Sequence, residues 1–582
     1  EDGEDEDEKK AKTGEKREKR GDKKRPRDGA DGDETVAEMT VDDVIDENSP
    51  EDKPSGPGPS SPSLAESVAR ALEPSLCVAR CDIASVALAD GVYSRSFEGN
   101  GLVLHHDPFG SGIGLVAVDR NTVPISSCDV LLTFAAYPHE IAGAVEFLHP
   151  TKNFALVSYD AKQMPCEAQK KVRAAACAIG EKASMRRGDT IVLVGLNNQL
   201  RPMSRVATVA DNATSAAVPS ADIPRFRAVN EEVVKLDIDL GYDYGGVLAD
   251  VATSDSTSAK SHSAYLVKAL WASYATPTSD GEVDSLVRGM PIGPALEASN
   301  RVLNWKKRNK LPASAGASDE GNLTEKSVKL LDAEFEVVTL ARAANLGVPR
   351  NWIDALLAKD PARKQALVVA STVAGTGAAR TLEGGDVVLT AGPSPPPNET
   401  GEKNNVCVTF GDVEDAVSAL ASHTHALRMT VCRSGEIHDV AVELSDASCL
   451  GTSRLTHWAG CILQNAHRPV AELGFAPTFT DPATGAETKL DVFISRWFHG
   501  SPAHRYGVYA LHWVAEVNDR PTPSLDAFIE IVKHVADGEH VRLKLVSLQG
   551  RPKVLTVKLD THYWPTWELR KREDGEWERV LL

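Results

Sequence analysis

A few places in the chain gather residue types that could do chemistry. His105 and His106 precede Asp107, so an imidazole base stands beside a carboxylate able to orient it. Successive strand residues point to opposite faces, and the three therefore read as a turn between strands. Cys77 and Cys81, four apart, would share one face of a helix. No histidine or second cysteine pair completes a metal or redox site around them, and no cofactor is expected. His499 and His504 read as surface or capping residues. Trp564, Trp567 and Trp577 offer either a peptide-recognition patch or packed anchors for the C-terminal tail.

Composition narrows what these groups can serve. The chain has 582 residues, 42% of them hydrophobic and 25% charged, which suits several folded cores. The net charge is −19. Residues 1–53 hold 21 acidic against 12 basic side chains, so −9 of that total sits in the first tenth of the chain. An acidic body disfavours nucleic acid as a partner, because phosphates are held by clustered Lys and Arg. No run of about 18 apolar residues suggests a membrane span. Nine cysteines without paired spacing point to a reducing compartment. The chain opens on Glu1 rather than Met, which reads as a fragment with any upstream segment out of view.

The elements that must position such residues follow from pattern. Residues 1–62 are too polar to offset chain entropy and are expected to be disordered. Their cluster Lys23, Lys24, Arg25, Arg27 reads either as a nuclear import address or as a solvated mixed-charge tail. The location expected is the nucleus, with cytosol or plastid as alternatives. Short apolar runs from 63 to 303, such as Ile113–Val118 and Ala155–Tyr159, predict many strands. A helix follows at Pro294–Leu303, then a linker over 304–330. Two α+β segments, 331–447 and 448–582, repeat one order of strands and helices. In the second, Ser524 caps a helix whose Leu525, Phe528, Ile529 and Val532 would face a sheet.

The run Gly500-Ser501-Pro502-Ala503, the strand Trp513-Val514-Ala515-Glu516-Val517-Asn518 and the helix start Ser524-Leu525 resemble the PDZ signature of HtrA/Deg-type serine proteases. Leu382-Glu383-Gly384-Gly385-Asp386 resembles the matching strand entry in the preceding segment. The resemblance implies a mainly β chain with α+β modules: a trypsin-like double β-barrel, then two PDZ-like domains, the second with a C-terminal extension. Within the barrels, Asn121 stands at the position of the family's catalytic His, Asn153 at that of its Asp and Tyr244 at that of its Ser, followed by Gly245 and Gly246. Tyr242 stands where a glycine offers an oxyanion-hole amide. The ending Thr561-His562-Tyr563-Trp564-Pro565 resembles the double-length fungal and plant branch, in which an active half precedes a degenerate one.

Acyl transfer by this constellation needs a hydroxyl nucleophile, an imidazole base and an orienting carboxylate. With Asn121, Asn153 and Tyr244 in those places, the resemblance implies a non-catalytic half that binds unfolded or C-terminal peptides, with a homo-oligomer admitted. An active half upstream of Glu1 would make the whole protein an endopeptidase, and a nuclear PDZ scaffold without proteolysis is the third reading. Leu346-Gly347 and Leu473-Gly474-Phe475 resemble loops whose amides receive a terminal carboxylate. The strand with Phe493 and Ile494 is expected to border a groove against the helix Ser524–Val535, with the polar insertion 476–490 able to fold across it.

Overall fold

Strand β3 (Ile113–Val118) is buried at all six positions, so its unbroken apolar run belongs inside a closed barrel. The computed structural model describes residues 63–238, 245–251, 265–277, 283–309, 327–392, 406–420, 424–480, 484–572 and 575–582. The predicted disordered tail with its basic cluster, Tyr242 and Tyr244 lie outside the described residues. No helix among the described residues is long and apolar enough to cross a membrane.

Six strands close the first barrel in the order β1-β2-β3-β6-β5-β4, with β1 Leu76–Asp82, β2 Ser96–His106, β4 Asp129–Phe134, β5 Tyr137–Leu148 and β6 Ala155–Asp160. The second closes as β10-β11-β12-β9-β8-β7, with β7 Thr190–Leu196, β8 Pro202–Ser215, β9 Glu232–Leu236, β10 Gly246–Val251, β11 Tyr265–Pro277 and β12 Val283–Pro291. Phe147, Phe154 and Tyr274 share one core that spans the two barrels. A helix Leu64–Leu72, started by a Ser63–Glu66 capping box, packs its Val68 and Leu72 into the same core. Cys77 and Cys81 are buried on β1, not on a helix; a spacing of four places two residues on one face of a strand as well.

The expected linker is shorter than 304–330. The helix Gly293–Asn309 continues six residues into it, and β13 (Ser327–Leu330) pairs with β19 (Ser445–Ser448). The first α+β module is a five-stranded antiparallel sheet, β14 (Ala333–Thr339), β15 (Gln365–Thr372), β16 (Val387–Ala391), β17 (Ala426–Arg433) and β18 (Glu436–Glu443). The helix Phe410–Ser418, begun by a Thr409–Asp412 capping box, buries Phe410 and Val413 in the module's core. The edge strand β14 meets the barrels: Asn230 Nδ2 donates to Ala333 O, and Phe335 N donates to Asn230 Oδ1, both at 2.8 Å. Arg227 grips Glu334 of the same strand through two nitrogens at 2.6 and 2.7 Å.

The second module departs most from expectation. Its sheet runs β28-β27-β25-β24-β21-β20-β29-β30, with β20 Arg454–Trp458, β21 Cys461–Asn465, β24 Val492–Trp497, β25 His512–Val517, β27 His540–Ser547, β28 Pro552–Lys558, β29 Trp567–Lys571 and β30 Trp577–Leu581. β20 and β21 form a hairpin on Ala459-Gly460, both with positive φ, the geometry of a tight two-residue turn. The insertion 476–490 carries a short hairpin, β22 (Thr478–Thr480) with β23 (Glu487–Lys489), and its Phe479 joins Phe493 and Trp513 in a small core. The C-terminal tryptophans are packed: Trp567 is buried on β29, and Trp577 Nε1 donates to Ser126 O at 3.1 Å.

Asn230 adopts φ +54°, a conformation glycine tolerates without its side-chain contacts. Asn230→Gly is therefore predicted to remove the two bonds to β14 alone and to cost about 1–3 kcal/mol. A urea denaturation midpoint that falls at unchanged slope checks it; an unchanged midpoint contradicts it.

Candidate functional site

The turns after β3 and β5 converge on one residue of β11, Ser273. Asp119 organises the first turn: its Oδ1 accepts from Thr122 N at 2.6 Å, and its Oδ2 accepts from Ser273 N at 3.0 Å. Asn121 Nδ2 then donates to Ser273 Oγ at 3.1 Å. From the second turn, Asn153 Nδ2 donates to Ser273 O at 2.7 Å, while its Oδ1 accepts from Arg120 N at 3.0 Å. The two asparagines singled out in the sequence thus meet over Ser273. Of the nucleophile loop, Gly245 and Gly246 are described, and at Gly246 the strand lies so close to β7 that a Cβ would sit 2.2 Å from Val194 O.

Asn121 and Asn153 line a cleft of about 610 Å³. Its other walls include Tyr93 and Arg225 from the barrels and His467 and Arg468 from the second module. Arg120 lies buried beneath, its guanidinium donating to His149 O at 2.9 Å and Pro124 O at 2.7 Å, 3.8 Å from the centre of the Phe226 ring. Burial holds it down to about 10. Burial also raises Asp119, against the pull of the amide it accepts from Ser273. Behind Asn153 sits Glu231, 2% exposed, accepting from Tyr274 Oη at 2.9 Å and from Asn153 N at 3.3 Å. Burial pushes Glu231 up to about 7, although Lys152 and the Tyr274 hydroxyl favour its charge. Among the described residues no cluster of three or more His, Cys, Asp or Glu could hold a metal ion.

The residues expected to bind peptide are placed differently. Leu346 N donates to Arg342 O and Gly347 N to Ala344 O, so these amides close the helix Leu340–Asn345. Leu473 N donates to Val470 O and Gly474 N to Ala471 O, which closes the short helix Arg468–Ala471 in the same way. Neither pair has its amides free for a carboxylate. Phe475 packs its ring on Trp513, centroids 5.6 Å apart. Phe493 and Ile494 are buried on β24, whose two edges are taken by β21 and β25, so they border no open edge. His105 and His106 end strand β2 and do not enter the expected turn, His106 bonding the Tyr159 hydroxyl at 2.8 Å; of the three, Asp107 alone forms the turn, accepting from Gly110 N and Ser111 N. His504 caps a turn, accepting from Gly500 N at 3.1 Å. Sequence reasoning missed Ser273, Glu231, Tyr274 and Asn230, for which no local spacing gives a signal.

Glu231 gives the site a testable pH signature. Its folded value of about 7 stands above the ordinary 4.5, so the native state holds the extra proton between those values. Its contribution to stability is fully present below pH 4.5 and is lost as pH rises through about 7. Glu231→Gln, which cannot ionise, is predicted to gain on the wild type by about 3 kcal/mol between the two ends of that window. Urea unfolding of both proteins from pH 4.5 to 8 checks this; a difference that stays flat contradicts it.

No family model matches the chain. It is 36% identical over 529 residues to Protease Do-like 7 of Arabidopsis thaliana, covering 89% of this chain and 44% of the relative. It is 28% identical over 474 residues to the pro-apoptotic serine protease NMA111 of Debaryomyces hansenii, covering 80% of this chain and 41% of that one. The chain thus spans less than half the length of these curated relatives. Among solved structures, HtrA-type protease AlgW with tripeptide is similar at 15% identity and a TM-score of 0.38, over 66% of this chain and 97% of that one. With the paired barrels built as described, the relatives from plant and fungus give the chain its kinship: it belongs to the HtrA/Deg-type serine protease family, in the branch found in fungi and plants.

Proposed function

We propose that the chain is the non-catalytic, regulatory and peptide-binding half of an HtrA-type serine protease, with PDZ-like second and third parts. The observation that carries this reading is the meeting of Asn121 and Asn153 over Ser273. A general base must take up a proton from the nucleophile, and an orienting group must accept one from the base. An amide does not take up a proton near neutral pH. Here both amide nitrogens are donors already engaged with Ser273. His467 is the one histidine among the described residues lining the cleft, and its ring bonds Pro224 O at 2.8 Å and the Gln464 amide at 3.4 Å. The cleft, about 610 Å³, has room for a short peptide segment, with apolar Phe97 and Val218 beside the polar groups.

A second reading rests on coverage. The chain spans 44% and 41% of two relatives named as proteases, so a catalytic set in the portion it does not span would make a longer protein an endopeptidase. Both readings agree on this chain by itself. Incubated with fluorescein-casein, the purified chain is predicted to release no label above the buffer rate. Turnover that scales with chain concentration and survives a second purification contradicts the proposal.

A further inference from the structure

A strand beside a helix leaves an edge whose amides and carbonyls need partners, and an incoming extended segment supplies them. In the second module that place lies between β21 and the helix Leu525–Val532, and the chain fills it with its own β20. Thr456 stands opposite Leu463, His457 opposite Ile462 and Trp458 opposite Cys461. Strand side chains alternate, so Arg454 and Trp458 share one face and Leu455 and His457 the other. The first face meets the helix. Arg454 Nη1 pairs with Asp526 Oδ1 of the helix at 2.7 Å while its Nε pairs with the buried Glu568 of β29, also at 2.7 Å, and the Trp458 ring meets Phe528 edge-on with centroids 5.5 Å apart. Trp458 is 2% exposed.

The second face meets the first barrel. Leu455 sits in that barrel's core, with Ile462 of β21 and Leu569 of β29 beside it. His457 Nε2 donates to Val86 O at 2.6 Å, and its ring stacks on Trp567 at 3.7 Å. One strand therefore plugs the module's edge and ties the module to the barrel. The plug is imperfectly matched: the Trp458 Nε1 hydrogen is buried without a hydrogen-bond partner, a burden a competing segment need not carry.

We propose that Arg454–Trp458 is an intramolecular ligand, occupying a strand-accepting groove between β21 and the helix Leu525–Val532. The resident strand defines the class of segment the groove takes: an extended peptide with a large aromatic residue and a basic residue four positions before it. A segment of that kind enters only when β20 leaves, and β20 cannot leave without giving up its pairing with β29, the Arg454–Glu568 pair, and Leu455 and His457 on the barrel. Peptide capture and release of the module from the barrel are thereby one event. The proposal does not depend on the triad positions, so the casein result neither supports nor sinks it.

The test uses the full chain and a fluorescein-labelled peptide, Thr-Ser-Arg-Leu-Thr-His-Trp, the sequence of residues 452–458. By fluorescence anisotropy the wild type is expected to show no binding up to about 1 mM peptide. The double variant Arg454→Ala with Trp458→Ala, its own strand weakened, is expected to bind at least about tenfold more tightly than that limit. Adding Asp526→Lys to it is expected to abolish the gain. Arg454→Gln keeps the strand's apolar contacts and serves if the double variant does not fold, binding more weakly but above the wild type. Equal binding by wild type and variant overturns the proposal, and so does a folded variant that binds nothing at about 1 mM.

Discussion

The constraint on which the structure depends is that sheet edges must be satisfied. An α+β module leaves strand edges that would pair with any passing chain. This protein uses those edges to assemble itself. Asn230 of the second barrel presents its side-chain amide to β14 as a neighbouring strand would present a peptide group. β20 does the same for β21 with real strand pairing. The bidentate Arg227–Glu334 pair then fixes the first module's angle on the barrel, because a planar fork accepts one orientation.

The cleft inherits its character from that assembly. Its walls come from both barrels and both modules, and the modules' docking buries groups that would otherwise be wet. Arg120 donates to two carbonyls and lies on the Phe226 face in place of a carboxylate, and its buried Nε has no hydrogen-bond partner. Glu231 is driven toward its neutral form behind Asn153. The two amides above are already engaged with Ser273, and the carboxyl below is held partly neutral by its burial. Moving a proton during acyl transfer asks for different groups.

Much of the fold was legible. Runs such as Ile113–Val118 read as strands because every position is buried, and the helix Leu525–Val532 was legible from Ser524, whose Oγ accepts from Ala527 N at 3.2 Å. The strand Arg454–Trp458 was not legible. Arg-Leu-Thr-His-Trp mixes polar and apolar residues because one face meets a helix and the other a barrel, and its outer partner β29 lies more than 100 residues on. The Leu-Gly pairs at 346 and 473 misled for a physical reason. A helix end and a carboxylate loop both need a glycine at positive φ, and Gly347 and Gly474 have φ of +95° and +83°. Asn121 and Asn153 could be found only by likeness to a family; Ser273, which joins them, stands 152 and 120 residues away.

The central claim is that the chain's own groups fill the edges of its modules. Hydrogen exchange of the intact chain, followed by mass spectrometry of peptides covering residues 461–465 and 512–517, tests it most directly. β21 flanked by β20 and β24 is predicted to exchange as slowly as β25, which is interior to the same sheet. Exchange in β21 faster by orders of magnitude, as at an open edge, would contradict the account.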